Sequence, residues 1–407
     1  MNHSLLIPHL FRTEFRKITA VLTRLFGIAH IETAEDIASD TFLLAFETWP
    51  YKGIPENPTA WLYTVAKNKA KNLLHRNEIL RKKIVPQIKR QSPEMEGDID
   101  LSEKNISDSQ LQMLFTICHP SIPVESQVGL ALKILCGFGI GEIADAFLTS
   151  KETINKRLYR AKEKLREENI RIELPGITEI EQRLDAVLTT LYLLFSEGYY
   201  SESSNEVLRE DLCSEAMRLT LQLIENERTN QPKVNALMAL MCFQSSRFGA
   251  RKNEHGELIL YQDQDESLWN RDLIAKGAYY LKEGSKGNQL SSYHLEAVIA
   301  YWHTKKEDSP EKWKNILQLY NRLLQINYSP VAALNRTYAL SKVYGNEKAI
   351  VEAEKLRLTN NHFYFLLLGE LYKDIDSKKS KEHFLQAWEM AKTETEKKSI
   401  EMNLLRQ

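Results

Sequence analysis

The chain has 407 residues, which is long for one ordinary domain and enough for two or three hydrophobic cores. Its formal net charge is −1, so no global excess of cations attracts nucleic acid, and charge has to be judged segment by segment. Four widely spaced cysteines without a Cys-x-x-Cys pair favour reduced thiols over disulfides or a zinc site. With no signal-peptide pattern and no apolar run of about 18 residues, we expect a cytoplasmic protein without membrane contact.

The first 60 residues predict two helices and a loop. Apolar spacing favours a helix over 3–27 that ends at Gly27, and a second helix over 34–49 with Thr33 as its cap. Pro50, Gly53, Pro55 and Pro58 then predict a loop over 50–58. Leu, Ala, Glu and Lys dominate the whole chain and β-branched alternation is scarce, so the fold should be all-α.

A third predicted helix, over 59–83, has unusual chemistry. Residues 61–91 contain nine cations and one anion, a local formal charge of +8. Trp61 and Tyr63 open the helix, and Asn68 and Asn72 stack at i, i+4, beside Lys69 and Arg76. Aromatic, amide and cationic side chains together suit single-stranded DNA, because bases stack on the rings while cations pair with phosphates. The alternative is a core tryptophan beside a solvated basic face.

Residues 92–108 invert that charge, with six acids and one lysine and little apolar content. Such a segment is typical of a flexible acidic tether. A helix over 126–136 follows the linker, and Cys118-His119 without a partner pair does not predict a metal site.

Residues 137–165 predict a helix, a tight turn and a second helix. Thr149-Ser150 offers N-cap oxygens, and Ile154, Leu158, Ala161 and Leu165 form one apolar stripe. The opposite face is polar and cationic, as expected for a helix that enters a DNA major groove, although a plain amphipathic surface helix would share the pattern. The candidate DNA-contacting residues around this face are Lys151, Thr153, Asn155, Lys156, Arg157, Tyr159 and Arg160.

Two stretches resemble a bacterial RNA polymerase sigma factor of the extracytoplasmic-function type. AEDIASDTFLLAFETW with AWLYTVAKNKAKNLL resembles sigma domain two, and GIGEIADAFLTSKETINKRLYRAKEKLR resembles sigma domain four. The resemblance implies that Asp40, Thr41 and Leu44 bind the clamp helices of core polymerase. It implies that Trp61, Asn68, Lys69 and Asn72 open and read the minus-ten element. The second helix of the pair would read the minus-thirty-five element, while the role of loop 50–58 stays open.

The long remainder, after Pro175-Gly176, resembles one subgroup that carries a tetratricopeptide-like extension and is often encoded beside YCII-related proteins. Glu266 departs from that subgroup's motif, where arginine is expected. From the residues alone, Leu334 and Leu368 are 34 apart, as are Tyr338 and Tyr372, the period of tetratricopeptide helical pairs. Such arrays usually bind another protein, so a regulatory partner is expected there.

These observations predict an all-α chain in four parts. They are sigma domain two (1–90), an acidic linker (91–110), sigma domain four (111–172) and a tetratricopeptide-like extension (178–407). The predicted function is promoter-directed transcription initiation with core RNA polymerase and promoter DNA as partners, no enzymatic activity, no cofactor and no metal. The alternatives are a helix-turn-helix regulator with a sensor domain, and a helical hydrolase that uses acids near His255, Asp263, Asp265 and Glu266.

Overall fold

The computed structural model describes residues 3–84, 99–147, 149–199, 209–251, 259, 261–391 and 394–405, and within those ranges every regular element is a helix. The chain divides into two compact units, 1–190 and 191–407. The predicted all-α class is therefore confirmed. The division falls inside a helix, α8 (Ile177–Tyr199), and the domain boundaries expected from the sequence stay predictions.

The helices of the first unit begin and end close to the predicted positions. They are α1 (His3–Phe26), α2 (Ile31–Lys52), α3 (Pro58–Ile84), α4 (Glu103–Ile117), α5 (Val124–Leu130), which continues as a π-helical turn (Ala131–Leu135), α6 (Ile140–Ala146), α7 (Lys151–Glu167) and the start of α8. Gly27 ends α1 with a φ of 87°, a left-handed conformation that glycine adopts without strain. Thr33 does not cap α2, because the helix already begins at Ile31 and runs through Pro50 to Lys52.

One core joins α1, α2 and α3. Ile18, Leu22, Ala38, Leu62 and Ala66 are among its fully buried members. Their burial on one face of each helix is the driving force for the bundle.

The second half of the predicted acidic linker belongs to this core. Ile99, Leu101 and Ile106 are buried in the same cluster, and Ser102 caps α4 by accepting a hydrogen bond from the Asn105 amide. The prediction of a flexible tether therefore fails over 99–108, because three apolar residues among the acids are enough to dock the segment. Residues 85–98 lie outside the described part of the chain.

The second unit contains the rest of α8 and the helices that follow it. They are α9 (Glu210–Glu225), α10 (Pro232–Ser245), α11 (Phe248–Arg251), α12 (Arg271–Gly284), α13 (Ser292–Trp302), α14 (Pro310–Ile326), α15 (Pro330–Tyr344), α16 (Asn346–Leu356), α17 (His362–Tyr372), α18 (Ser377–Met390) and α19 (Glu394–Leu405). Helix α10 is buried on all sides, as its continuous apolar sequence requires, and α12 and α13 pack on it.

The last helices form hairpins with the predicted 34-residue spacing. Leu334 of α15 and Leu368 of α17 lie in one buried cluster, and Gly345 turns the chain between α15 and α16 with a φ of 88°. Gly369 lets α17 and α18 approach closely, since a Cβ there would lie 2.9 Å from the Phe384 ring. Whether these hairpins form a true tetratricopeptide array stays a prediction.

Candidate nucleic-acid and polymerase interface

Helix α7 presents the predicted face to solvent. Ser150 caps it, with Oγ accepting from the Thr153 amide at 3.1 Å, and the stripe Ile154, Leu158, Ala161 and Leu165 is buried. On the other side the exposed residues are Lys151, Glu152, Thr153, Asn155, Lys156, Tyr159 and Arg160. The arrangement leaves three cations and several hydrogen-bonding groups available to a ligand on one side of a rigid helix.

Helix α7 is held by its neighbours within the first unit. The Leu158 side chain packs on α5 at Gly129, where it would touch an added Cβ at 3.0 Å. Arg157 is only half-exposed because its guanidinium lies 5.6 Å from the centre of the Phe147 ring. Arg157 therefore stabilises the turn between α6 and α7, and it is a weaker candidate for a DNA contact than Lys156 or Arg160.

The far end of α7 is attached to α2. Lys162, 9% exposed, lies 3.3 Å from Glu35 and 3.4 Å from Glu32, and Arg166 pairs with Glu32 as well. No local sequence pattern predicts this contact, because residues 127 or more positions apart leave no periodic signal.

Helix α3 exposes part of the predicted basic surface. Asn68, Asn72 and Arg76 are exposed, as their spacing predicted. Lys69 is half-buried and pairs with Asp40 of α2 at 3.3 Å. The side chains of Arg81, Lys82 and Lys83, and residues Lys89 and Arg90, lie outside what the structure describes.

The aromatic residues that open α3 have structural partners. Trp61 is half-buried and packs edge-on against Trp49, with ring centres 5.4 Å apart. The Tyr63 hydroxyl donates to Glu14 at 2.6 Å, and its burial, together with this carboxylate, raises the pKa of Tyr63 well above its usual range. Trp61 therefore packs against a core tryptophan and is also partly exposed, so it shows features of both alternatives, a core position and a stacking surface.

The outer face of α2 corrects one predicted polymerase contact. Asp40 is exposed and Leu44 half-buried, but Thr41 is fully buried and its hydroxyl donates to the Ile37 carbonyl at 2.7 Å. Thr41 thus cannot touch a partner directly. Leu43 and Phe46, 55% and 65% exposed, are apolar residues on that face that were not among the predicted polymerase contacts.

One of the acids considered for a hydrolase, Asp265, has a structural role. Asp265 caps a short 3₁₀ turn, Glu266–Leu268, by accepting from the Ser267 amide at 2.8 Å, which holds the pKa of Asp265 below its usual range. His255 lies outside the described residues. In the described part of the chain, no three His, Cys, Asp or Glu side chains converge as they would around a metal ion.

None of the four cysteines, all of which lie in the described part of the chain, forms a disulfide, and all four are buried. Burial raises the pKa of Cys118, Cys213 and Cys242 to about 12, so these thiols stay protonated and unreactive at neutral pH.

Comparison with known families decides the identity of the first bundle. The model for sigma-70 region 2 matches residues 10–78, the span of α1, α2 and most of α3. Residues 10–78 thus carry a sigma-70 region 2 domain, which supports assignment to a sigma factor family. Sigma region 2 implies interaction with core RNA polymerase and promoter DNA, in support of a role in transcription initiation.

A second family model, described as a family of unknown function (DUF6596), matches residues 183–285, which run from α8 to the end of α12. The chain also belongs to one family with an uncharacterized protein of Rhizobium meliloti (strain 1021). The two are 33% identical over 359 residues, 85% of this chain and 83% of the relative. No solved structure matches the chain. Among the described helices, none is both long and apolar enough to cross a membrane.

Proposed function

We propose that this chain is an extracytoplasmic-function sigma factor that carries core RNA polymerase to specific promoters in the cytoplasm and performs no covalent chemistry itself. The observation that carries the proposal is the coincidence of sigma region 2 with α1–α3, whose outer faces expose Asn68, Asn72 and Arg76 on α3 and Leu43 and Phe46 on α2. A DNA-opening surface and an apolar docking surface on adjacent helices suit a protein that joins polymerase to a melted strand.

In this proposal α6 and α7 act as a helix-turn-helix that reads the minus-thirty-five element. The support is the exposed face of α7, where Lys156, Tyr159 and Arg160 project away from the buried stripe. Arginine and lysine at the N-terminal part of a recognition helix are the usual partners of guanine in the major groove. Asn68 and Asn72 would then contact the opened minus-ten strand, with the edge of Trp61 beside them.

The alternative function, a helix-turn-helix regulator with a sensor domain, needs α7 but not the exposed faces of α2 and α3. Run-off transcription with purified core polymerase and no other sigma factor separates the two. A sigma factor yields promoter-specific transcripts in this assay. Promoter binding without polymerase recruitment would contradict the proposal and favour the regulator.

We further propose that the extension sets the activity of the first unit by completing a contact with polymerase or with a regulatory protein. The test is transcription by residues 1–190, the first compact unit, with and without residues 191–407 added in trans. A cut near Leu174, at the break predicted from sequence, is unsuitable because Leu184, Val187 and Leu188 of α8 are fully buried. Loss of activity on truncation supports an activating extension. Unchanged activity under every condition contradicts the proposal.

A further inference from the structure

A polar cavity of about 650 Å³ opens in the second unit between the start of α12 and the segment after α13. Its wall carries three cations and two anions, together with a buried threonine: Arg271, Lys305, Lys306, Glu266, Glu307 and Thr304. Lys305 and Lys306 have no carboxylate within 4.0 Å among the side chains described, and neither does Arg271. This volume lies within the range of small-molecule sites.

Two further cations lie behind this wall. Lys312 is 2% exposed and donates to the carbonyl of Lys305 and, at 3.0 Å, to the hydroxyl of Tyr261. Arg247 is half-buried, with its guanidinium 5.4 Å from the centre of the Tyr261 ring and its Nη2 donating to Tyr199 at 3.1 Å. Burial lowers the pKa of Lys312 and the positive charge of Arg247 lowers it further, while the carboxylates of Asp308 and Glu307 oppose that shift.

The positive charge of this region is not balanced by a direct ion pair. The carboxylate of Asp308 accepts from Trp313 and lies 3.9 Å from Lys342, while Lys312 and Arg247 have no carboxylate within 4.0 Å in the described part of the chain. His303 carries no charge at neutral pH, because burial and the two cations lower its pKa to about 3. The carboxylates of Asp308 and Glu307 act on Lys312 from beyond ion-pair distance, and partly buried cations without a direct partner are costly unless an anion binds there.

Two side chains that contact Tyr261 carry buried hydrogen-bond donors without a partner among the described groups. Nε of Arg247 and Nε1 of Trp269 are buried and have no hydrogen-bond partner among the described groups. Trp269 is 3% exposed and stacks on Tyr261, the ring that also lies against Arg247 and Lys312. Buried donors without partners are rare in folded proteins, so two of them on side chains that contact Tyr261, behind the wall of the cavity, are informative.

We propose that the cavity formed by Arg271, Lys305 and Lys306 binds a phosphorylated small molecule. A phosphate monoester carries close to two negative charges at neutral pH, which matches a wall where cations exceed carboxylates and two more cations lie behind it. The guanidinium of Arg271 offers a planar pair of donors to phosphate oxygens, and the two lysines add point charges. Glu266 and Glu307 on the same wall favour a ligand whose remaining part offers hydroxyl or amine donors. The inference does not depend on the proposed transcription function, because it rests on the second unit alone.

The test is isothermal titration of the full chain with glycerol phosphate, inorganic phosphate and succinate, at constant ionic strength set with chloride. Two variants remove cations from the wall, Arg271→Met and Lys306→Met. The matched control is Lys286→Met, a surface lysine of the same unit that pairs with Glu283 outside the cavity. Thermal unfolding of each variant checks that it is folded.

Saturable binding of glycerol phosphate is expected, weakened about tenfold or more in both wall variants and unchanged in the control, since each loses one charge-assisted contact. No saturable binding of either phosphate, or equal binding by the wall variants and the parent, overturns the site. Tighter binding of succinate than of both phosphates overturns the phosphate assignment. Arg271 is exposed and has only a weak contact with the Glu266 carbonyl, at 3.4 Å, so at least this variant is expected to fold.

Discussion

Lys162 of α7 lies 3.3 Å from the Glu35 carboxylate of α2, 127 residues earlier in the chain. The lysine is 9% exposed and also lies 3.4 Å from Glu32, so its ammonium joins two carboxylates. This ion pair fixes the end of the proposed recognition helix to the first turns of the proposed polymerase-binding helix. Because the cost of desolvation offsets much of the attraction, a buried ion pair fixes the orientation of two helices more reliably than it raises the free energy of unfolding.

The first prediction removes this pair with Lys162→Met, which keeps the length of the side chain. We expect a loss of about 1–3 kcal/mol of unfolding free energy, because the variant leaves Glu35 partly buried without its partner. The measurement is thermal unfolding of the full chain beside Lys164→Met, whose exposed ion pair with Glu168 should contribute less than about 1 kcal/mol. Equal effects of the two variants would show that the contact between α7 and α2 is not structural.

The second prediction concerns promoter reading. Lys156→Ala and Arg160→Ala should each weaken promoter binding by about 1–3 kcal/mol and change the tolerance for substitutions at one base position. The measurement is a filter or anisotropy titration against single-base promoter variants, with Lys286→Ala as a control of equal charge change. Both side chains are exposed, so unfolding should not obscure the result. If both variants rank every promoter variant as the parent does, α7 does not read sequence.

The third prediction concerns core polymerase. Leu43→Ser and Phe46→Ser should weaken binding to core polymerase, by about 2 kcal/mol where the side chain is an anchor of the interface. Their 55% and 65% exposure means that the fold should be retained. Co-purification with core polymerase is the measurement, with Leu268→Ser, 53% exposed in the second unit, as a matched control. Wild-type affinity in both variants would remove this face of α2 from the interface.

The sequence predicted α7 well and α2 less well, for a physical reason. The Ser150 cap and the Ile154–Leu165 stripe are local, so a window of 17 residues contains the information. The burial of Thr41 depends on packing among α1, α2 and α3. The docking of residues 99–108 likewise depends on Ile99, Leu101 and Ile106, which reach a core built from residues far away in the chain. The partners of Lys162 and Lys69 likewise come from helices far away in the chain, and no short window records them.

The fourth prediction concerns strand opening. Asn68→Ala combined with Asn72→Ala should leave polymerase binding unchanged and reduce the open complex, since each base contact contributes about 1–3 kcal/mol. Replacing Trp61 by alanine is a poorer test, because it would also remove packing against Trp49. Permanganate footprinting compares duplex and premelted templates, with Thr64→Ala on the same helix as the control. A loss of signal that is equal on both templates would argue against a role in melting.

The last prediction concerns pH and a carboxyl in the second unit. Burial raises the pKa of Glu296 to about 7, although the Tyr192 hydroxyl donates to it at 2.9 Å and opposes that rise. The folded state therefore binds a proton more tightly than the unfolded state, and between about pH 4.5 and pH 7 stability should fall as pH rises. The rise in the pKa of Glu296 corresponds to roughly 3 kcal/mol of unfolding free energy at most, and this contribution is fully lost above the folded pKa.

Glu296→Gln, which cannot ionise, should therefore gain stability relative to the parent between pH 5 and pH 8 in thermal unfolding of the full chain. A Tyr192→Phe variant removes the hydroxyl that favours the carboxylate, so its stability should continue to fall up to a higher pH than that of the parent. A constant difference in stability between the parent and Glu296→Gln across this range would mean that the carboxyl does not titrate there.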